Sequence, residues 1–88
     1  MSYEIKITPG FKKSFKKLDF ITQRTISKWI IKNLEETDIP HLHGKALSGN
    51  LKGLWRYSIG DYRLIADIQD KELVIVAIDI GHRREIYR

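Results

Sequence analysis

The sequence of 88 residues contains no cysteine. That excludes a disulfide framework and any thiolate metal site. It agrees with a reducing compartment, and the cytoplasm is the expected location. Proline is scarce too, with two residues, so the breaks in the chain are few and can be placed. No apolar run approaches a membrane span. The longest nearly apolar stretch, Leu73 to Ile80, falls far short of the ~20 residues needed, and no membrane partner is expected. Met1-Ser2-Tyr3-Glu4-Ile5 has no apolar core of the kind a secretory signal carries.

What is present is a basic, moderately hydrophobic chain. The length predicts one domain over residues 1–88, and the 42% hydrophobic fraction is too high for a disordered tail. The formal net charge of +5 favours a polyanionic partner such as RNA, DNA or an acidic protein. Charge alone does not choose among them; the placement of the arginines has to.

Tyr3 to Thr8 alternates with period two, as a half-buried strand does, and Pro9-Gly10 stops it. Phe11, Phe15 and Leu18 then recur at helical spacing. Lys12, Lys13, Lys16 and Lys17 fall mostly off that face and read as a solvated surface or as contacts to RNA backbone. Asp19 or Thr22 can cap a second helix, in which Ile26, Trp29, Ile30 and Asn33 share a face with Leu34 beside it. The pattern predicts its end near Thr37, before Asp38-Ile39-Pro40. Residues 41–53, rich in glycine, read as a loop. Three strands follow at Leu54 to Ile59, Tyr62 to Ile68 and Leu73 to Ile80. The expected order is β-α-α-β-β-β: an α+β domain with two N-terminal helices packed on one face of an antiparallel sheet.

Gly60-Asp61 fits a two-residue hairpin loop. It pairs Ile59 with Tyr62, Ser58 with Arg63 and Arg56 with Ile65. Trp55, Tyr57, Ile59, Tyr62, Leu64, Ala66 and Ile68 then share one apolar face, and Leu54, Arg56, Ser58, Arg63, Ile65 and Asp67 share the other. Arg56 and Arg63 become diagonal neighbours, roughly 7–8 Å apart at the backbone. Like charges so placed need a counter-charge, for which Asp67 or a phosphate is suited. The end of the third strand lies beside Arg63 in antiparallel order. The tail Gly81-His82-Arg83-Arg84-Glu85-Ile86-Tyr87-Arg88 therefore brings Arg83 toward it. Arginines so gathered form a phosphate-gripping set. His41 and His43 lack a carboxylate or thiolate beside them, so no metal site is expected. Trp29 and Trp55 read as core.

Trp55 to Ile65 resembles the central hairpin of the RelE/ParE toxins. Ile80 to Tyr87 is similar to the tail that closes them, Phe11 to Leu18 to their first helix, and Lys45-Ala46-Leu47-Ser48-Gly49 to the loop before the hairpin. The resemblance spans nearly the whole chain. It implies a RelE-like fold, no cofactor, and a cognate RelB-like antitoxin that covers the site, with operator DNA bound only through the antitoxin complex. RelE-type members cleave mRNA in the ribosomal A site, against ribosomal RNA. ParE-type members inhibit DNA gyrase and lack the catalytic set. On the RelE reading the catalytic positions are Arg56, Arg63, His82, Arg83 and Tyr87. Arg56 and His82 stand where RelE has lysine. Lys52, Arg84, Arg88 and the four lysines of the first helix are implied RNA or ribosome contacts. The implied reaction is attack of the 2′-OH on the phosphodiester without a metal. Arg63 and Arg83 offset the charge, His82 is the candidate base with Glu85 second, and Tyr87 stacks on the substrate base or donates a proton. The alternatives are a gyrase inhibitor and a non-catalytic antitoxin-binding relative.

Overall fold

In the computed structural model, which describes residues 3–86, Thr8 both ends the first strand and starts the first helix. Its hydroxyl accepts from the Phe11 N–H at 3.0 Å and donates to the Ile78 carbonyl at 2.8 Å. Pro9 follows at the first helical position, where its missing N–H costs nothing. Strand β1 is Glu4–Ile7 and helix α1 is Pro9–Lys16. Asp19 then caps α2, Phe20–Ile30, by accepting from the Thr22 N–H and hydroxyl. Those bonds hold the Asp19 carboxyl below its ordinary value. Where the pattern predicts α-helix to about Thr37, α2 instead passes into a π-helical turn, Ile31–Glu35, closed by a Glu36 N–H to Ile31 carbonyl bond.

The remaining strands are β2 (Gly44–Ala46), β3 (Trp55–Ile59), β4 (Tyr62–Gln69) and β5 (Val74–His82), followed by a short helix α3, Arg83–Ile86. The sheet order is β1-β5-β4-β3-β2. The meander is antiparallel as expected, with the expected hairpin register of Ile59 with Tyr62 and Arg56 with Ile65. Gly60 alone of the turn pair has positive φ, as a II′ hairpin turn requires.

Two features differ from the sequence expectation. β1 joins the sheet parallel to β5, so the sheet is mixed rather than wholly antiparallel. The chain reaches that geometry because α1 and α2 carry it over one face from β1 to the far edge strand β2, and the antiparallel meander then returns β5 to lie beside β1. Residues 44–46, expected as loop, form edge strand β2 against β3. Gly44 permits this: a Cβ there would come within 2.9 Å of the Tyr57 ring.

The helices cover one face of the sheet. Phe11, Ile26, Ile30 and Leu34 meet Tyr57, Ile59, Leu64, Ile75 and Ile80 in one core. Trp29 and Trp55 pack against it, as expected. Tyr57 is fully buried and its hydroxyl donates to the Pro40 carbonyl, tying the loop after α2 to β3. Burial, and then the nearby Asp70 charge, push its pKa well above the ordinary tyrosine value.

The β4–β5 ladder contains a break. Ala66 faces Ala77, but Ile65 faces Asp79, so Ile78 is an extra residue in β5. The bulge reverses which side chains of β5 point inward: Ile75 and Ala77 before it, Ile80 after it.

Replacing Tyr57 by phenylalanine leaves the buried Pro40 carbonyl unmatched. It is expected to cost about 1–3 kcal/mol of stability, read as a lower urea midpoint at unchanged slope.

Candidate functional site

The reversal at the bulge sets the composition of the sheet face away from the core. Lys45, Arg56, Ile65 and Asp79 lie in one row across β2 to β5, and Ser58, Arg63 and Gly81 in the next. Arg56 and Arg63 therefore share this face, as the hairpin register implies. Lys45 joins them. The sequence reading leaves it in a loop, because a three-residue strand with two small residues gives no alternation to detect.

Arg63 folds back on its own turn. Its guanidinium donates to the Gly60 and Tyr62 carbonyls, each at 3.0 Å. The expected counter-charge, Asp67, instead accepts from the Gln69 amide at 3.2 Å. Arg83 meets the same turn from the other side. Its N–H donates to the Asp61 carbonyl at 2.8 Å, and its Nε stands 4.0 Å from the Asp61 carboxylate. Both side chains of that pair are more than half exposed, so the contact is a weak, displaceable one. The turn at residues 60–62 thus contacts both Arg63 and Arg83, the first through main-chain carbonyls and the second through Asp61.

His82 is placed differently from the arginines. It faces Tyr62 in the ladder, and its ring sits edge-on to the Tyr62 ring at 5.7 Å. Successive strand residues point to opposite faces, so its ring leaves the sheet on the side opposite to Arg63. Its Nδ1 accepts from the Arg84 N–H at 3.2 Å, while the Glu85 carboxylate accepts from the His82 N–H at 3.4 Å. These two reciprocal bonds are a capping box for α3, with histidine in the cap position. An accepting Nδ1 puts the proton of the neutral ring on Nε2. That ring can offer Nε2–H to a phosphate oxygen. For Nδ1 to accept any other proton or donor it must first release the Arg84 N–H.

Helix α3 lies over Gly81, where a Cβ would come within 3.0 Å of the Ile86 side chain. Lys52 stands exposed between Leu51 and Leu54, two walls of a hollow beneath α3. Arg84 and the four lysines Lys12, Lys13, Lys16 and Lys17 are exposed, the first three lysines on α1 and Lys17 at its C-cap. Tyr87 and Arg88 lie outside the described residues. His41 packs edge-on to Trp55 at 4.7 Å and stands 3.5 Å from the Asp70 carboxylate. Among the described residues no group of three His, Cys, Asp or Glu side chains is placed to hold a metal ion. No helix of those residues is long and apolar enough to cross a membrane.

The two His82 bonds make separable demands. His82→Ala removes the cap, and its effect on exchange of the Arg84 amide is expected to be a rise of about fivefold, the equivalent of ~1 kcal/mol. His82→Asn supplies another good cap acceptor and is expected to leave that rate nearly unchanged. Amide hydrogen exchange followed by NMR measures both.

Among curated proteins, none matches the chain. Solved structures are similar throughout its length. The toxin–antitoxin complex RelBE2 from Mycobacterium tuberculosis contains a chain of TM-score 0.86 and 24% identity, covering 94% of this chain and 100% of that one. The archaeal RelE–RelB complex from Pyrococcus horikoshii gives TM-score 0.70 and 24% identity over 97% and 99% of the two chains. A mutant of the Escherichia coli toxin RelE in the free state gives 0.76 and 20%, over 98% and 88%. At these identities the likeness establishes the fold. The model of the family described as ParE toxin of type II toxin–antitoxin system, parDE, matches residues 5–87. With a RelE-like fold and a family match over nearly its whole length, the chain belongs to the ParE toxin family, within the RelE/ParE superfamily of type II toxins.

Proposed function

We propose that this toxin is an endoribonuclease that cleaves mRNA in the ribosomal A site. The observation that carries the reading is the arginine set: Arg63 and Arg83 gathered at the 60–62 turn, with Arg56 on the face that Arg63 shares. Arginine is always charged and donates in a fixed fork, which fits a phosphate that gains charge in the transition state. The RNA brings its own nucleophile. The 2′-OH gives its proton to water and attacks phosphorus, the P–O5′ bond breaks, and the leaving O5′ takes a proton from water, so that a 2′,3′-cyclic phosphate and a 5′-OH result. Arg63 and Arg83 carry the charge of the phosphorane, Arg56 and Lys45 hold the neighbouring backbone, and His82, on the opposite face, acts through its cap on α3. Lys52, Arg84 and the lysines of α1 face the surrounding RNA. Tyr87 and Arg88 keep the roles that the resemblance gives them, base stacking and RNA contact.

An antitoxin is the second partner. A hollow of about 300 Å³ lies between β1, α1 and α2, walled by Ile5, Ile7, Phe11, Phe15 and Ile31. It adjoins the open edge of β1, and Ile7 and Ile31 are 53% and 44% exposed. An apolar groove beside a free strand edge suits an extended or helical antitoxin segment. Ile31→Asp is expected to weaken the purified toxin–antitoxin pair at least tenfold, by calorimetry, through burial of an unpaired charge.

The ParE family match supports a second reading, inhibition of DNA gyrase. Mapping mRNA 5′ ends after induction separates the two. Cleavage within coding regions is expected, and Arg63→Ala or Arg83→Ala should each lower it roughly 10²–10³-fold and relieve growth arrest. Intact mRNA during arrest, with loss of supercoiling by purified gyrase, would establish the alternative.

A further inference from the structure

The hollow beneath α3 opens on the arginine face and measures about 270 Å³. Leu54, Ile65, Ile78 and Ile86 wall it, and two carboxylates, Asp79 and Glu85, complete it. Two acidic groups would repel a phosphate, so they are not part of the phosphate grip. Apolar walls with hydrogen-bond acceptors suit a flat ring that carries N–H donors on its edge, and a nucleobase has both. Among the four RNA bases, guanine alone presents two adjacent donors, N1–H and N2–H, on its pairing edge. Two carboxylate oxygens, one from Asp79 and one from Glu85, are the matching acceptors. We propose that this hollow holds a guanine of the RNA substrate, with Asp79 and Glu85 as its base-reading residues. The assignment rests on the reading of the chain as an RNA-cleaving toxin.

Asp79 is firmly held before a ligand arrives, and Glu85 is tethered by one longer bond. Asp79 Oδ1 accepts from the Ser14 hydroxyl and from the Ile80 N–H, each at 2.8 Å. Glu85 Oε1 accepts from the His82 N–H at 3.4 Å. Each is thereby anchored through one oxygen and can offer the other, Oδ2 or Oε2, to the base. Fixed acceptors lose little freedom on binding, which favours selectivity. The hollow itself depends on the bulge: without Ile78 as an extra residue, Asp79 would face Leu64 in the core.

Asp79→Asn and Glu85→Gln keep the anchoring oxygen and turn the other acceptor into a donor. The test is titration of the purified chain with guanosine, adenosine, cytidine and uridine 5′-monophosphates, followed by NMR of isoleucine and leucine methyls. The expected result is guanosine monophosphate binding at least tenfold tighter than the others, with shifts at Leu54, Ile65, Ile78 and Ile86. Either amide variant should lose roughly ten- to hundredfold of that preference. Equal binding of all four nucleotides, no binding at millimolar concentration, or shifts elsewhere would overturn the assignment. Mapped mRNA ends supply the independent arm. Asp79→Asn should still cut, with its preference for guanine lost. Guanosine binding at these methyls without any mRNA cleavage would remove the cleavage reading and leave the base site standing.

Discussion

The placement of the site depends on one extra residue in β5. Strict alternation from Ile75 and Ala77 would send Asp79 and Gly81 into the core and put Ile80 opposite Arg63. The bulge at Ile78 prevents this. It is fastened from outside the sheet, because the Ile78 carbonyl takes the Thr8 hydroxyl. Beyond the bulge Ile80 enters the core at 2% exposure, and Gly81 lies beside Arg63. A side chain at that position would displace Ile86, so the glycine lets α3 lie over the arginine face. Bulges of this kind re-aim a strand at the cost of local pairing. Here the re-aimed residues are those that close the candidate site.

The arginines are held by groups that a phosphate can replace. Arg63 rests on two main-chain carbonyls of the turn, and Arg83 on an exposed carboxylate at the limit of ion-pair distance. Such contacts are worth little in water. They orient the guanidinium groups without binding them so tightly that substrate must compete. The core side of the same hairpin is firmer. Tyr57 is fully buried and bonded to Pro40, and Leu64 beside it has no exposure. A firmly packed inner face and a loosely satisfied outer face thus share the same two strands.

The sequence made much of this legible. Ile26, Ile30 and Leu34 announce the buried face of α2, and Gly60-Asp61 sets a register that places Arg56 and Arg63 together before any coordinates exist. A period of two in strands and 3.6 in helices is a local property, so residue spacing is enough to find it. Asp19 as a cap and the two tryptophans as core follow from equally local rules.

What residue spacing could not decide were the relations between distant segments. The parallel pairing of β1 with β5, the edge strand at Gly44–Ala46 and the bulge at Ile78 each depend on contacts made across the sheet. The place of His82 is the plainest case. The order of residues puts it between Gly81 and Arg83 and joins it to the arginines. The shifted register sends its ring to the other face and commits Nδ1 to the Arg84 N–H. The chemistry carried by each side chain was therefore written in the sequence. Which face each side chain occupies, and which of its atoms are left for a substrate, was decided only by the tertiary structure, because one added residue inverts every alternation beyond it.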